Sequence, residues 1–214
     1  MVSPYDKELR SRAYYQGRAR WYDWANRIAA ALRGVSGMKE RRKAVDRLQL
    51  AQGQRVLEVS VGTGTNVPLM AELVGPEGRT IGLDISRRML AQCRQKLDQQ
   101  AVRADLVEGE AARLPFADDS FDAVFHHGGI AEFGDKQRAI NEMMRVARPQ
   151  ARVVLCDAGL PVDRRLPLMS RLLLKLQPEY QQPPPVDLIP ARAKDVHVDW
   201  FHGGSWYLIT FVNP

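Results

Sequence analysis

Segments typical of β-strands and of α-helices alternate without interruption through the middle of this chain. Short β-branched runs lie at residues 55–60, 80–85, about 104–107, 121–126 and 151–156, and helical segments separate most of them. Repeated βα units of this kind are typical of a parallel sheet covered by helices on both faces. Because such crossovers are right-handed, the pattern predicts an α/β, Rossmann-like, doubly wound sandwich.

The two ends of the chain depart from this alternation. Two alternating runs joined at Gly203-Gly204 predict a terminal antiparallel β-hairpin, which brings the mostly parallel sheet to seven strands. Between residues 161 and 193, an apolar and basic stretch and the proline run 183–185 predict an inserted helix and a stiff connection. A chain of 214 residues fits one domain, and we expect a helical N-terminal lid segment at 1–50 and a core at 51–214.

Composition and charge exclude several classes of protein. No apolar run approaches the roughly 20 residues of a membrane span, and the first residues lack the apolar core of a secretory signal. We therefore expect a cytoplasmic protein. Residues 1–50 hold 12 Lys and Arg against 5 Asp and Glu, a basic excess that suits an anionic substrate or peripheral contact with a membrane surface. A solvated helix face is the alternative.

Neither nucleic acid nor a metal is an expected partner. The basic residues lie on segments that are apolar on one side and match no nucleic-acid motif. Cys93 and Cys156 are too few for a disulfide framework or a zinc site.

The first strand is followed by the glycine-rich turn EVSVGTGTN, and Gly62 and Gly64 allow the backbone to turn tightly and approach a ligand. A dinucleotide site requires a third glycine at position 67, where this chain has Val67. A phosphate-binding P-loop is excluded because no Gly-Lys-Ser/Thr follows.

Two carboxylates follow the next two strands. Asp84 can accept hydrogen bonds from both hydroxyls of a ribose, and Glu110 can accept one from an adenine amine. Together with the glycine-rich turn, they predict a nucleoside site. The competing interpretation is that Asp84 caps a helix and Glu110 is a surface loop residue.

The motifs EVSVGTGTN, GLDIS, EGEAARLPFADDSFDAVF and INEMMRVARPQARVVLCD, in this order, resemble those of class I S-adenosylmethionine (AdoMet)-dependent methyltransferases over residues 55–158. YDWANRI and KERRKAVDRL are similar to the N-terminal segment of the ubiquinone/menaquinone biosynthesis C-methyltransferases. The resemblance implies AdoMet as cofactor and S-adenosylhomocysteine as product. It implies that Glu58 positions the amino end of the methionine part of AdoMet. The cofactor-binding residues that it predicts are Glu58, Ser60, Gly62, Thr63, Gly64, Asp84, Ile85, Glu110, Ala111 and His126. Ser60 replaces the family's usual first glycine, which puts the methionine-end contacts in doubt.

The acceptor side is less defined. The resemblance places the end of the fourth strand beside the methyl group, where His126 or His127 could serve as a base. The alternative is a hydrogen-bonded structural histidine next to the Gly128-Gly129 turn. We expect the acceptor to contact His127 and an aromatic lid that contains Tyr14, Tyr15, Trp21 and Tyr22.

The sequence thus predicts an AdoMet-dependent methyltransferase with a small-molecule or lipid-like acceptor, for which a quinol is one candidate. N-methylation of a lipid or small amine and non-catalytic AdoMet binding are alternatives, and a nicotinamide-dependent oxidoreductase is disfavoured by the missing third glycine. The acceptor atom, the use of a base and the oligomeric state stay open, since fold analogy does not transfer substrate.

Overall fold

The computed structural model of this protein describes residues 37–159, 182–201 and 204–214, together with Ala13, Pro161 and Leu168. Over these residues, no helix combines the length and the apolar character that crossing a membrane would require. The expected aromatic lid and most of the expected insertion lie outside this part of the chain.

A seven-stranded sheet forms the centre of the structure, with strand order β3-β2-β1-β4-β5-β7-β6. The strands β1 to β5 pair in parallel, and β7 pairs antiparallel with both β5 and β6. Their bounds are β1 Arg55–Val59, β2 Arg79–Asp84, β3 Asp105–Glu108, β4 Phe121–His127, β5 Ala147–Ala158, β6 Lys194–Phe201 and β7 Trp206–Val212. This arrangement confirms the α/β fold and the terminal antiparallel pair.

In the ranges 37–159, 182–201 and 204–214, the α-helices that connect and cover the strands are α1 Gly37–Asp46, α2 Val67–Val74, α3 Arg87–Gln99 and α4 Lys136–Val146. Short 3₁₀ turns lie at Ile130–Glu132 and Val186–Leu188. Ser86 caps α3 by accepting a hydrogen bond from the Met89 amide.

The apolar core has two layers, one on each face of the sheet. Residues of α1 and α2 pack on one face against β1, β4 and β5, and residues of α4 pack on the other. Ala44 and Val45 of α1 are fully buried, so this end of the expected lid segment is part of the core. The proposed division at residue 50 stays a prediction for the residues before α1.

The fifth strand is longer than its sequence pattern indicates. We expected a strand over 151–156, after Arg148-Pro149, whereas β5 begins at Ala147, directly after α4. The extension is irregular, because the register with β4 shifts between Phe121 and Ala123 and Gln150 has a φ of 66°. A bulge of this kind lets pairing continue past residues that would otherwise end a strand.

Candidate functional site

A cavity opens at the carboxyl ends of β1, β2 and β4, where strand order reverses and where ligands bind in open α/β sheets. It contains about 690 Å³ of empty space, a figure that includes the solvent at its open mouth. Its lining consists of Ser60, Gly62, Leu83, Asp84, Ile85, Met89, Gly109, Glu110, Ala111, Ala112, Gly128, Gly129, Glu132, Phe133, Gly134 and Asp135. Six of the predicted cofactor residues are in this set, namely Ser60, Gly62, Asp84, Ile85, Glu110 and Ala111.

The glycine-rich turn after β1 uses its two glycines differently. Both have positive φ, 55° at Gly62 and 73° at Gly64. A Cβ on Gly62 would meet no atom within 4 Å, whereas one on Gly64 would lie 2.4 Å from Cys93 Sγ. Gly62 therefore leaves backbone open at the cavity, and Gly64 permits the turn to pack against α3. Thr63, between them, is buried and does not line the cavity.

Ser60 occupies a backbone conformation that favours glycine. Its φ is 60°, in the left-handed region that costs an L-residue roughly 1–2 kcal/mol. The departure from the family pattern thus falls where the chain requires an unusual φ. Ser60 retains that conformation and places a hydroxyl-bearing residue in the cavity lining.

Asp84 ends β2 and organises the cavity floor. Its Oδ2 accepts a hydrogen bond from the Gly62 amide at 2.9 Å, and its Oδ1 accepts one from the Ser86 amide at 2.9 Å. Burial raises the pKa of this carboxyl, and the backbone hydrogen bonds oppose that shift. The Ile85 amide also donates to this carboxylate, which with about four acceptor sites retains capacity for a further hydrogen bond from a ribose hydroxyl. Asp84 fits the predicted ribose contact.

Residues of β2, of α3, of the loop after β3 and of the segment after β4 form the apolar part of the cavity. Leu83, Met89 and Phe133 contribute side chains there, and Glu110 lies at the edge, in an isolated β-bridge with Arg113. An apolar slot with carboxylates at its edge and at its floor suits a nucleoside. The residues present fit AdoMet, because the open backbone at Gly62, the diol acceptor at Asp84 and the slot beside Glu110 lie in one cavity.

Glu58 and His126 were predicted to contact the cofactor but do not line this cavity. Glu58 is buried in β1, and Asn66 Nδ2 donates a hydrogen bond to its Oε1 at 2.6 Å. Desolvation raises the pKa of Glu58 to about 8, although Asn66 and Arg41 oppose that shift. The roles of Glu58, Thr63, Gly64 and His126 in cofactor binding stay predictions.

His126 and His127 face opposite sides of the sheet, because successive strand residues alternate. His126 Nδ1 lies 2.9 Å from the Val59 carbonyl oxygen and must donate to it, and its ring packs against Phe133, 5.1 Å away. Burial lowers the pKa of His126 to about 4, which makes it a weak proton acceptor at neutral pH. These contacts are those of a structural histidine that supports Phe133 from below.

His127 lies on the α1 side, between aromatic rings. Its ring centroid is 5.0 Å from that of Trp206 and 6.0 Å from that of Phe125. Arg41 NH1 lies 3.4 Å from its Nδ1, and since a guanidinium only donates, Nδ1 accepts and the proton is on Nε2. The other predicted acceptor contacts, Tyr14, Tyr15, Trp21 and Tyr22, lie outside the described residues.

Sequence reasoning missed Asp157, a fully buried carboxylate near the end of β5. Its Oδ2 accepts hydrogen bonds from the amides of Gly129 at 3.0 Å, Ile130 at 2.8 Å and Ala131 at 3.4 Å. Burial raises its pKa to about 7. Asp157 therefore holds the loop after β4, of which Gly128 and Gly129 line the cavity. An acidic residue ending an apolar strand was the available signal.

Groups of three or more His, Cys, Asp or Glu side chains placed to hold a metal ion do not occur in the described ranges.

Comparisons with known proteins agree with this geometry. A family model described as a methyltransferase domain matches residues 56–150. A demethylmenaquinone methyltransferase of Oceanobacillus iheyensis is 32% identical over 193 residues, which are 84% of this chain and 80% of that protein. One of Geobacillus stearothermophilus is 32% identical over 187 residues, 81% of this chain and 79% of that protein. The crystal structure of an AdoMet-dependent methyltransferase from Aquifex aeolicus superposes with a TM-score of 0.59 at 18% identity, covering 81% of this chain and 89% of that one.

Proposed function

The chain belongs to the class I AdoMet-dependent methyltransferases, and on that premise we propose that it methylates a ring carbon of a quinol bearing an apolar chain. The observation that carries the proposal is the similarity to demethylmenaquinone methyltransferases over about four fifths of their length. The membership itself establishes methyl transfer from AdoMet to a small-molecule acceptor. The quinol is the finer proposal.

The chemistry requires positioning more than acid or base strength. When bound, AdoMet supplies an electrophilic methyl group on a sulfonium. Gly62, Asp84 and Glu110 would hold the cofactor. The ring carbon of the quinol would accept the methyl group, S-adenosylhomocysteine would be the leaving group, and the proton of that ring carbon would leave to solvent or to a base. Holding the reacting atoms in line is the largest contribution that a protein makes to such a displacement.

Of the two histidines, His127 is better placed for an acceptor. Its ring is buried between two aromatic side chains, and its Nε2–H is the donor that it would offer to a quinol oxygen. His126 is committed to the Val59 carbonyl. Replacing His127 by Asn should therefore lower kcat. Replacing His126 by Asn should act mainly on the fold, with a clear loss in the free energy of unfolding and a smaller change in kcat than His127→Asn.

The direct test is methyl transfer from isotopically labelled AdoMet to a short-chain prenylated naphthoquinol under anaerobic conditions, with product identified by mass spectrometry. We expect a C-methylated quinol, and no product from the oxidised quinone, whose ring is not nucleophilic. An Asp84→Asn variant serves as the cofactor-site control. Turnover only with an amine such as phosphoethanolamine would favour N-methylation, and tight AdoMet binding without turnover on any acceptor would favour a non-catalytic role. Either result would overturn the quinol proposal.

Peripheral contact with a membrane is part of the same proposal, because a quinol with an apolar chain resides there and the basic excess falls in residues 1–50. Co-sedimentation with vesicles containing anionic lipid should exceed that with neutral vesicles and should fall with added salt. Equal binding to both vesicle types would contradict this part.

A further inference from the structure

Three polar side chains form a chain of hydrogen bonds between α1 and the glycine-rich turn. Asn66, which immediately precedes α2 and is 2% exposed, donates from Nδ2 to Glu58 Oε1 at 2.6 Å. Arg41 of α1 donates from NH1 to Asn66 Oδ1 at 2.9 Å. The buried side-chain amide of Asn66 is thus hydrogen-bonded both to the carboxyl group of Glu58 and to the guanidinium of Arg41.

Both Glu58 and Arg41 keep unused hydrogen-bonding capacity. Glu58 Oε2 is buried, and no hydrogen-bond partner for it exists in the described part of the chain. The side-chain hydrogen bonds that Arg41 makes there go to Asn66 and His127, both through NH1, and neither partner is anionic. A guanidinium has five N–H donors, so most of those of Arg41 remain available.

Leaving a buried carboxyl oxygen without a partner is costly, and a ligand can supply that partner. Neither Arg41 nor Glu58 lines the cofactor cavity, but Asn66, which joins them, ends the turn whose residues Ser60 and Gly62 line it. A ligand that satisfied both would need a positive and a negative group a few bonds apart.

An α-amino acid has this charge distribution, since its ammonium and carboxylate are attached to one carbon, and the methionine end of AdoMet is an α-amino acid. We infer that Arg41 binds the carboxylate of AdoMet while Glu58 faces the ammonium. Arg41 is thus a cofactor-binding residue supplied by α1, upstream of the first strand. The inference deepens the cofactor site and does not depend on the identity of the acceptor.

Two other roles are open to Arg41. It could tie α1 to the turn through Asn66 with no contact to a ligand, or it could hold an anionic oxygen of the acceptor next to His127. The first role predicts equal effects on every cofactor analogue. The second predicts an effect on the acceptor alone.

The test compares ligands that differ by the carboxylate. Calorimetric titration with AdoMet and with decarboxylated AdoMet, on the wild-type protein and on Arg41→Met, forms a double-mutant cycle. We expect Arg41→Met to weaken AdoMet by about 10- to 100-fold, the loss typical of a charge-assisted hydrogen bond, and to change the decarboxylated ligand by less than about threefold. Arg41→Lys, which keeps the charge, should lose less than Arg41→Met.

Arg47→Met is the matched control. Arg47 directly follows α1, its side chain is more than half exposed, and it forms a salt bridge with Asp199 on the surface. It should leave both affinities unchanged. Equal weakening of both ligands by Arg41→Met would show a structural clamp and overturn the inference. Unchanged AdoMet affinity, with or without a raised KM for the acceptor, would also overturn it. Because the readout is binding, failure of the quinol proposal would leave these outcomes intact.

Discussion

Glu58 should make the stability of this protein depend on pH in a direction opposite to that of an ordinary carboxylate. Burial raises its pKa from 4.5 to about 8, so the folded protein keeps a proton there that the unfolded chain has released. Between these values the folded state binds more protons, and its stability falls as pH rises. Since one pKa unit is worth about 1.4 kcal/mol, the difference between the folded and unfolded pKa values of Glu58 corresponds to roughly 5 kcal/mol of folding free energy. This contribution is fully lost above about pH 8.

Replacing Glu58 by Gln tests this reasoning, because the amide resembles the protonated carboxyl and does not ionise. Urea unfolding of ligand-free protein at pH 5, 7 and 9 gives the free energy of unfolding of each form. The variant should be close to wild type at pH 5 and more stable by several kcal/mol at pH 9. Asp84 and Asp157, whose pKa values burial also raises, add to the pH dependence of both proteins and largely cancel in the difference.

Glu77→Gln, at an exposed position, is the matched control and should show no such divergence. A difference between Glu58→Gln and wild type that stays constant from pH 5 to pH 9 would refute the reasoning. It would mean that water or a counter-charge reaches Glu58 in the folded protein.

Substitutions at three further positions, Ser60, Gly64 and Asp157, test local geometry. Because φ at Ser60 is 60°, Ser60→Gly should raise the free energy of unfolding by about 0.5–1 kcal/mol, and Ser60→Val should lower it by at least 1 kcal/mol. Equal free energies of unfolding in urea for the wild type and both variants would contradict the backbone strain at Ser60. Gly64→Ala should destabilise the protein by more than about 2 kcal/mol, because the added Cβ would lie 2.4 Å from Cys93 Sγ. Adding Cys93→Ala should recover part of that loss, and additive effects in the double variant would exclude the clash. Asp157→Asn should lower the free energy of unfolding by about 1–3 kcal/mol and weaken AdoMet binding, because the amides of Gly129 and Ile130 lose their carboxylate acceptor. An unchanged thermal unfolding temperature and an unchanged calorimetric affinity for AdoMet would show that the loop does not need this carboxylate.

Much of the fold and part of the site follow from local sequence. Alternating strand and helix patterns determine a parallel sheet, and in such a sheet the carboxyl ends of neighbouring strands meet at one edge. For this reason Asp84 and Glu110, 26 residues apart in the sequence, could be expected in one cavity, and both line it. Ser60 could be singled out because it replaces a glycine, and its φ supplies the physical reason.

The remainder depends on contacts that no local pattern encodes. Arg41 meets Asn66 across 25 residues and His127 across 86, and Asp157 holds amides about 27 residues earlier, so each acquires its environment only when the sheet forms. Two adjacent histidines looked equivalent in the sequence. Strand alternation separates them, since it sends His126 to the Phe133 side and His127 to the Trp206 side.

The central claim is that the cavity beside Asp84 holds AdoMet, and calorimetric titration with AdoMet and, separately, with NADH tests it most directly. We predict micromolar AdoMet binding that weakens about tenfold or more in Asp84→Ala, no comparable binding of NADH, and no change in Asp98→Asn, an exposed carboxylate of α3. Thermal unfolding of each variant would confirm that it is folded. AdoMet affinity that is indifferent to Asp84, in a folded variant, would contradict the assignment of this cavity.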